Sequence, residues 1–408
     1  MLSQETLTDI NIEEEIEVNE INVLQDRVSV FVDCNSCDGS FIRQQIDFVN
    51  HVRDPQLAEI HIFITSQGTA SGGETFTLSF IGQERFKEMN TTLTYTSIQT
   101  NTREEERIGL NKIIKLGLVP YIVKTSLVNS IDVEFNAQPV ESRPQNDAWN
   151  NWIFEVYGGV NFDKETSRGS LDIRYGFYAD YVTETWRIGM RPFFNYNQET
   201  YVKDGEDVRS ILHRDGFDGK VVRSISNHWS LGAFLDIDSN SFENLDLEYR
   251  IAPAIEYSLL PYKVALRKEY TIAYSVGYLY RDYIEETIFG QLDETLYNQS
   301  LKFEVRVLQP WGSVRAGLEG SNYFHDFSKN RISFEGNLSI RVFKGLSFNF
   351  SSDYDYVQDQ LSLPRGDASL EEVLLGQRQL ATSYGLSLSA GFSYSFGSIY
   401  NNVVNTRL

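Results

Sequence analysis

Residues Tyr384 to Phe396 read Y-G-L-S-L-S-A-G-F-S-Y-S-F. Tyr384, Leu386, Leu388, Ala390, Phe392, Tyr394 and Phe396 share one face, and Gly385, Ser387, Ser389, Gly391, Ser393 and Ser395 the other. This period-two alternation holds for thirteen residues, whereas a globular strand has about five or six. A tilted strand of about 10 residues crosses an outer membrane, its apolar face on lipid and its small polar face on the lumen. The stretch therefore reads as a transmembrane β-strand, and from about residue 149 onward the design repeats.

Working outward, Leu171, Ile173, Tyr175 and Phe177 oppose Asp172, Arg174 and Gly176, and Trp186, Ile188 and Met190 oppose Arg187, Gly189 and Arg191. Leu245, Leu247, Tyr249, Ile251, Pro253 and Ile255 oppose Asp246, Glu248, Arg250 and Glu256. Tyr270 to Tyr278 carries another outer stripe. Phe303, Val305 and Val307 oppose Lys302, Glu304 and Arg306, and Ile332 to Val342 opposes Glu335, Asn337 and Arg341. Weaker runs at 152–162, 218–226, 228–236, 314–322 and 346–356 bring the count to about twelve, an even number as single-chain barrels require. Joints near 182–185, 226–228, 309–313 and 343–346 are short. Those near 197–217, 281–298 and 357–381 are long and polar, so turns and loops alternate between two ends. The connection 259–269 breaks that rule, being long on the short-turn end.

Ahead of this region lie an acidic leader (1–27), an α/β domain (28–127) and a polar linker (128–148). Val28 to Asp33 predicts a buried strand, and Gly39 to Val52 a helix N-capped by Asp38, with Ile42, Ile46 and Val49 at helical spacing. Strands follow at Glu59–Thr65, Thr75–Ile81 and Thr91–Gln99. A second helix opens at Asn101 and carries Ile108, Leu110, Ile113, Ile114 and Leu116. This β-α-β-β-β-α order resembles the N-terminal domain of TolB. The two-part layout resembles Gram-negative outer-membrane barrel proteins with a periplasmic α/β head. That resemblance implies a bacterial outer-membrane location with the head in the periplasm, and hence a signal peptide outside this numbering. Barrel chains of that kind end on an aromatic of the last strand. Here Phe396 is followed by Gly397 to Leu408, which makes the assembly signal internal or unusual.

Composition narrows the function. With 23 Tyr, 26 Phe and a mean hydropathy of -0.32, the chain suits a barrel with aromatic girdles and lacks any apolar run of helix-spanning length. A net charge of -21 argues against nucleic acid, whose binding draws on basic patches.

Candidate chemistry is sparse. Cys34-Asn-Ser-Cys37 sits between a strand and a helix, as redox pairs do, but a structural disulfide or inert thiols is the leading reading. The loop Gly68–Gly73 lacks the Gly-Lys-Ser/Thr ending of a phosphate loop. His228-Trp-Ser230 resembles the His/Ser pair of outer-membrane phospholipases, yet the alternation turns both away from lipid. More informative are the lumen-facing charges Asp172, Arg174, Arg187, Arg191, Asp246, Glu248, Arg250, Lys302, Glu304, Arg306, Arg315, Glu335 and Arg341. Their signs nearly balance, so they are expected to pair across strands rather than to build a selective pore.

The expectation is a non-enzymatic outer-membrane barrel without metal or cofactor. Its partners are outer-membrane lipid and a periplasmic or outer-membrane protein bound by the head, with the barrel as anchor or narrow conduit. The alternatives are a porin-like diffusion channel for small polar or anionic solutes and, remotely, a lipid hydrolase.

Overall fold

The computed structural model describes residues 27–69, 73–132, 149–203, 206–262, 265, 267–343, 345–366, 379–398, 402 and 405. The chain divides into two compact units: residues 1–145 with 341–347 and 393–408, and residues 146–340 with 348–392.

The first unit contains β1 (Ser29–Asp33), α1 (Gly39–Gln45), β2 (Asn50–His51), β3 (Ile60–Gly68), β4 (Glu74–Gly82), β5 (Asn90–Ser97) and α2 (Arg103–Ile122). The sheet order is β2-β1-β3-β4-β5. Strand β1 runs parallel to β2 and β3, and β3, β4 and β5 form an antiparallel meander.

Two details differ from the sequence reading. Helix α1, capped by the Asp38 carboxylate on the Phe41 N–H, stops at Gln45 because Ile46 leaves helical geometry (φ -120, ψ 63). The chain then enters the two-residue β2, while Ile46 and Val49 remain in the core. On α2, which opens with a Thr102/Glu105 capping box, the buried face is Leu110, Ile114, Leu118 and Tyr121. Ile108 and Leu116, expected in that stripe, are exposed. Spacings of four, four and three keep one helical face against the sheet. The helix approaches closely because residue 117 is glycine: a Cβ there would meet the Phe80 ring at 2.0 Å.

The second unit is built on a twelve-stranded sheet, the number the alternation predicts, although the strand residues 341–343, 346–347 and 393–394 are grouped with the first unit. The strands are β6 (Trp152–Lys164), β7 (Arg168–Val182), β8 (Trp186–Lys203), β9 (Glu206–Ser224), β10 (Trp229–Asn240) and β11 (Leu245–Ser258). Then come β12 (Lys268–Tyr283), β13 (Asp293–Gln309), β14 (Gly312–Tyr323), β15 (Asn330–Phe343), β16 (Leu346–Val357) and β17 (Tyr384–Tyr394). They form one sheet in chain order, and every register from β6 to β15 is antiparallel. Among the described residues, no helix is long and apolar enough to cross a membrane.

Much of the expected 197–217 loop is strand, since β8 and β9 stay paired from Trp186↔Arg223 out to Lys203↔Glu206. The polar residues there hid a period-two pattern that carries no apolar stripe. At Leu245 a register shift turns the side chain to the other face, opposite Tyr283, and buries it. Leu245 therefore leaves the apolar stripe to which its spacing assigned it. No pairing of β6 with β17 occurs among the described residues, and every residue of β17 is exposed.

One face of this sheet is apolar and open. Leu231, Leu235, Ile251, Ile255 and Leu301 are all exposed on it. Aromatic pairs mark its two ends. Trp152–Tyr181 (5.3 Å) and Trp229–Tyr257 (4.7 Å) stand at the short-turn end. Tyr249–Tyr280 (5.2 Å), Tyr278–Tyr297 (5.4 Å) and Tyr175–Phe194 (4.8 Å) lie toward the other.

Candidate functional site: the charged face of the twelve-stranded sheet

Strand geometry decides which side chains meet here. Alternate residues of each strand point to one face, and the antiparallel register carries that face from strand to strand. The row Arg191↔Asp218↔Asp236↔Arg250↔Leu279↔Leu296 crosses β8 to β13 without changing face. By the same registers Asp172, Arg174, Arg187, Glu248, Lys302, Glu304, Arg306, Arg315 and Glu335 lie on this face. Asp246 does not hold its predicted place. It is the extra residue of the Leu245/Leu247 shift and stands exposed.

Most of these charges are paired, Arg187, Arg315 and Glu335 being the ones without an ion pair among the described residues. Arg174 Nε donates to Asp172 (2.7 Å) and Arg250 Nη1 to Asp236 (3.3 Å), while Lys302 Nζ donates to Glu304 (2.8 Å). Arg191 pairs with Asp218 and Arg306 with Glu269. Arg168–Glu199 (3.2 Å) and Arg214–Asp238 (3.1 Å) extend the ladder toward the ends of β7 to β10. Pairs that stay well hydrated contribute at most about 1 kcal/mol each. The enclosed pair differs: Arg281 donates to Glu248 with both side chains at 15–17% exposure, and the guanidinium lies 6.0 Å from the Tyr323 ring. Beside it Tyr283 Oη donates to Glu294.

Small residues make room for this layer. A Cβ on Gly176 would meet the Tyr157 hydroxyl at 2.4 Å, so the phenol lies flat across the neighbouring strand.

The sequence reading missed Arg214, Asp218 and Arg281. Arg214 fell in a presumed loop, although Arg214, Gly216, Asp218, Lys220 and Val222 alternate in period two. Arg281 sat at the boundary of another presumed loop.

The His228/Ser230 pair is taken apart by its neighbours. His228 Nδ1 contacts the Ser258 carbonyl (2.7 Å), while Ser230 Oγ bonds Tyr262 Oη (2.5 Å), which donates to Glu256 (3.1 Å). Tyr262 comes from the long connection after β11. Its hydroxyl thereby reaches Ser230 and Glu256 on the charged face.

In the first unit, Cys34 and Cys37 form a disulfide between β1 and α1 (Cα–Cα 5.6 Å) and pack against the core. Arg341, predicted to face the lumen, is grouped with this unit. Its Nη2 donates to Asp33 Oδ1 (2.7 Å), and the guanidinium lies 5.2 Å from the Phe31 ring. His61 Nε2 lies 3.1 Å from Asp33. Burial alone would raise the Asp33 pKa. Hydrogen bonds from Arg341 and His61 outweigh it and hold the carboxyl below its ordinary value. Burial lowers the pKa of His51. Among the described residues, no cluster of three or more His, Cys, Asp or Glu is arranged to hold a metal ion.

No protein-family signature matches the chain, and no curated protein does. Among solved structures, the β domain of the Bordetella autotransporter BrkA is similar at 13% identity. The match covers 60% of this chain and 98% of that one, with a TM-score of 0.26. So loose a superposition decides nothing; the strand registers define the architecture.

Proposed function

We propose that the twelve-stranded unit is an outer-membrane β-barrel without catalytic activity, and that the α/β unit is a periplasmic head that binds a protein partner. The observation that carries the membrane reading is the exposed apolar face between two aromatic rows. Tyr257 and Tyr249 lie eight residues apart on β11, about 26 Å along the strand and, at the tilt of about 40° that barrel strands adopt, about 20 Å along the membrane normal. A lipid-facing band is about 25 Å tall between its girdles. In water so large an apolar surface drives association, whereas in a bilayer it needs no cover.

Such a barrel must also pair β6 with β17. Each unsatisfied backbone group in lipid costs several kcal/mol, and an even strand number brings the two edges together antiparallel. The opposite face, with most of its charges neutralised in pairs, then becomes the interior. That arrangement supports an anchor or narrow conduit over a selective pore, which concentrates one sign of charge at its constriction.

Cysteine labelling in reconstituted vesicles tests this. Leu235→Cys and Ile251→Cys should react with a lipid-soluble maleimide and resist a charged one. Charged-reagent labelling of both at the rate of a free thiol would end the membrane reading. For the head, photo-crosslinkers at exposed Ile108 and Leu116 should capture one discrete protein in intact envelopes. Capture of none removes the partner.

A further inference from the structure

The connection leaving β16 does not project away from the sheet. Val357, Leu361 and Leu363 are buried, and Leu361 packs with Leu279, Leu296 and Tyr323, three residues of the charged face. Polar anchors fix the segment along its length. Arg331 Nε donates to Asp359 (3.1 Å), and Asn244 Nδ2 donates to the Ser362 carbonyl (3.0 Å). The Ile288 N–H reaches the Leu363 carbonyl (2.9 Å), Thr287 and Pro364 form an antiparallel bridge, and Arg365 pairs with Glu286 (2.8 Å). Asn244 is the hub. It adopts φ +60, which Asn tolerates better than most residues, and its Nδ2 also donates to the Glu285 carbonyl (2.9 Å). One side chain thus ties the β10–β11 turn to both the β12–β13 and β16–β17 connections.

We infer that residues 357–365 are a fixed strap that closes the charged face at its long-loop end. Passage of any solute along the interior then requires the strap to leave. The chemistry favours a seal over a surface loop. Directly under Leu361 lies an apolar layer of Leu279, Leu296 and Tyr323, and next to it the enclosed Arg281–Glu248 pair. A mobile loop would leave that pair hydrated and those leucines wet. The inference rests on the barrel reading, because only in a closed barrel does this face become an interior.

The test is the labelling rate of Leu296→Cys, a position 3% exposed, by a membrane-impermeant charged maleimide. The full chain is used in vesicles, with Leu380→Cys as the exposed reference. Leu296→Cys should react at least about 100-fold more slowly than the reference, since opening by about 2.7 kcal/mol corresponds to that ratio. Releasing the strap should restore most of the rate, whether by Leu361→Ser with Leu363→Ser or, separately, by Arg331→Ala with Asn244→Ala. Fast labelling without release would overturn the strap. So would equal protection in both released forms, which would assign the cover to neighbouring strands. Ile251→Cys, labelled from the lipid phase in the same vesicles, separates the two claims. If it stays unreactive there, the membrane reading fails; if it reacts, only the strap is at stake.

Discussion

In the α/β unit Phe80, Leu118 and Tyr121 are fully buried, while Lys112 and Glu104 on α2 face outward. In the twelve-stranded unit Ile251 and Leu388 stand about half exposed, while Arg281 and Glu248 are enclosed. The same side-chain types occupy opposite places. The first arrangement is what water imposes on a chain with one core. The second is stable only where the surroundings are apolar on one side and the charges can pair on the other. The comparison teaches that burial alone does not rank residues by importance; the solvent on each face must be named first.

The largest effect that could break this contrast is in the head. Phe80→Ala should destabilise the α/β unit by about 4 kcal/mol, within the range for a large aromatic removed from a packed core. Hydrogen exchange of the α2 amides in the full chain should then speed up, while β10 and β11 amides keep their protection. Equal loss in both units would mean that they unfold as one.

Next comes the apolar face. Ile251→Arg should cost about 3 kcal/mol in a bilayer and Trp229→Arg about 1 or less, because a lipid-face cation is penalised by depth. Reversible folding into vesicles measures both. Equal costs would contradict a band bounded by the Trp229 and Tyr249 rows.

The smallest effect is a pH slope. Asp33 is more acidic folded than unfolded, so its pairing stabilises the α/β unit above the unfolded carboxylate pKa of about 3.9. That contribution is lost as pH falls through that value toward the folded pKa. Asp33→Asn should therefore flatten the acid limb of the unit's stability curve below about pH 5. An unchanged limb would show that Arg341 and His61 do not hold the carboxylate ionised.

Much of the fold was legible because a strand's period is two and the sheet has two unlike faces. Leu171 to Phe177 or Phe303 to Val307 can be assigned to a face from spacing alone, and twelve such runs give the strand number. What spacing cannot carry is an interruption of itself. The register shift that buries Leu245 and displaces Asp246 leaves no mark in the alternation. The outer half of β8 and β9 was illegible for another reason: with Tyr196, His213 and Arg209 on the outward face, the apolar signal fades while the hydrogen bonding continues. The charged face itself was foreseeable, partner choice less so. Arg341 and Glu335 of β15 belong to one alternation, yet the Arg341 guanidinium sits on Asp33, far away in sequence. Nor does the chain announce that Leu361 and Leu363 turn inward. Their anchors, Asn244, Glu286 and Arg331, are separated from them in sequence and share no repeat.

The exposed edges of β6 and β17 set the order of events in assembly. From β6 to β16 each strand follows its neighbour after a short or moderate connection, so that part of the sheet can grow by local zippering, while β17 joins across the longer connection after Val357. In the proposed barrel, an edge-to-edge join would link the first strand of the unit to the last and carry the highest loop-closure cost of any strand pairing in it. That join would then be the final and slowest step. Until such a join is made, the growing sheet offers two adhesive borders, each a template for pairing with another chain.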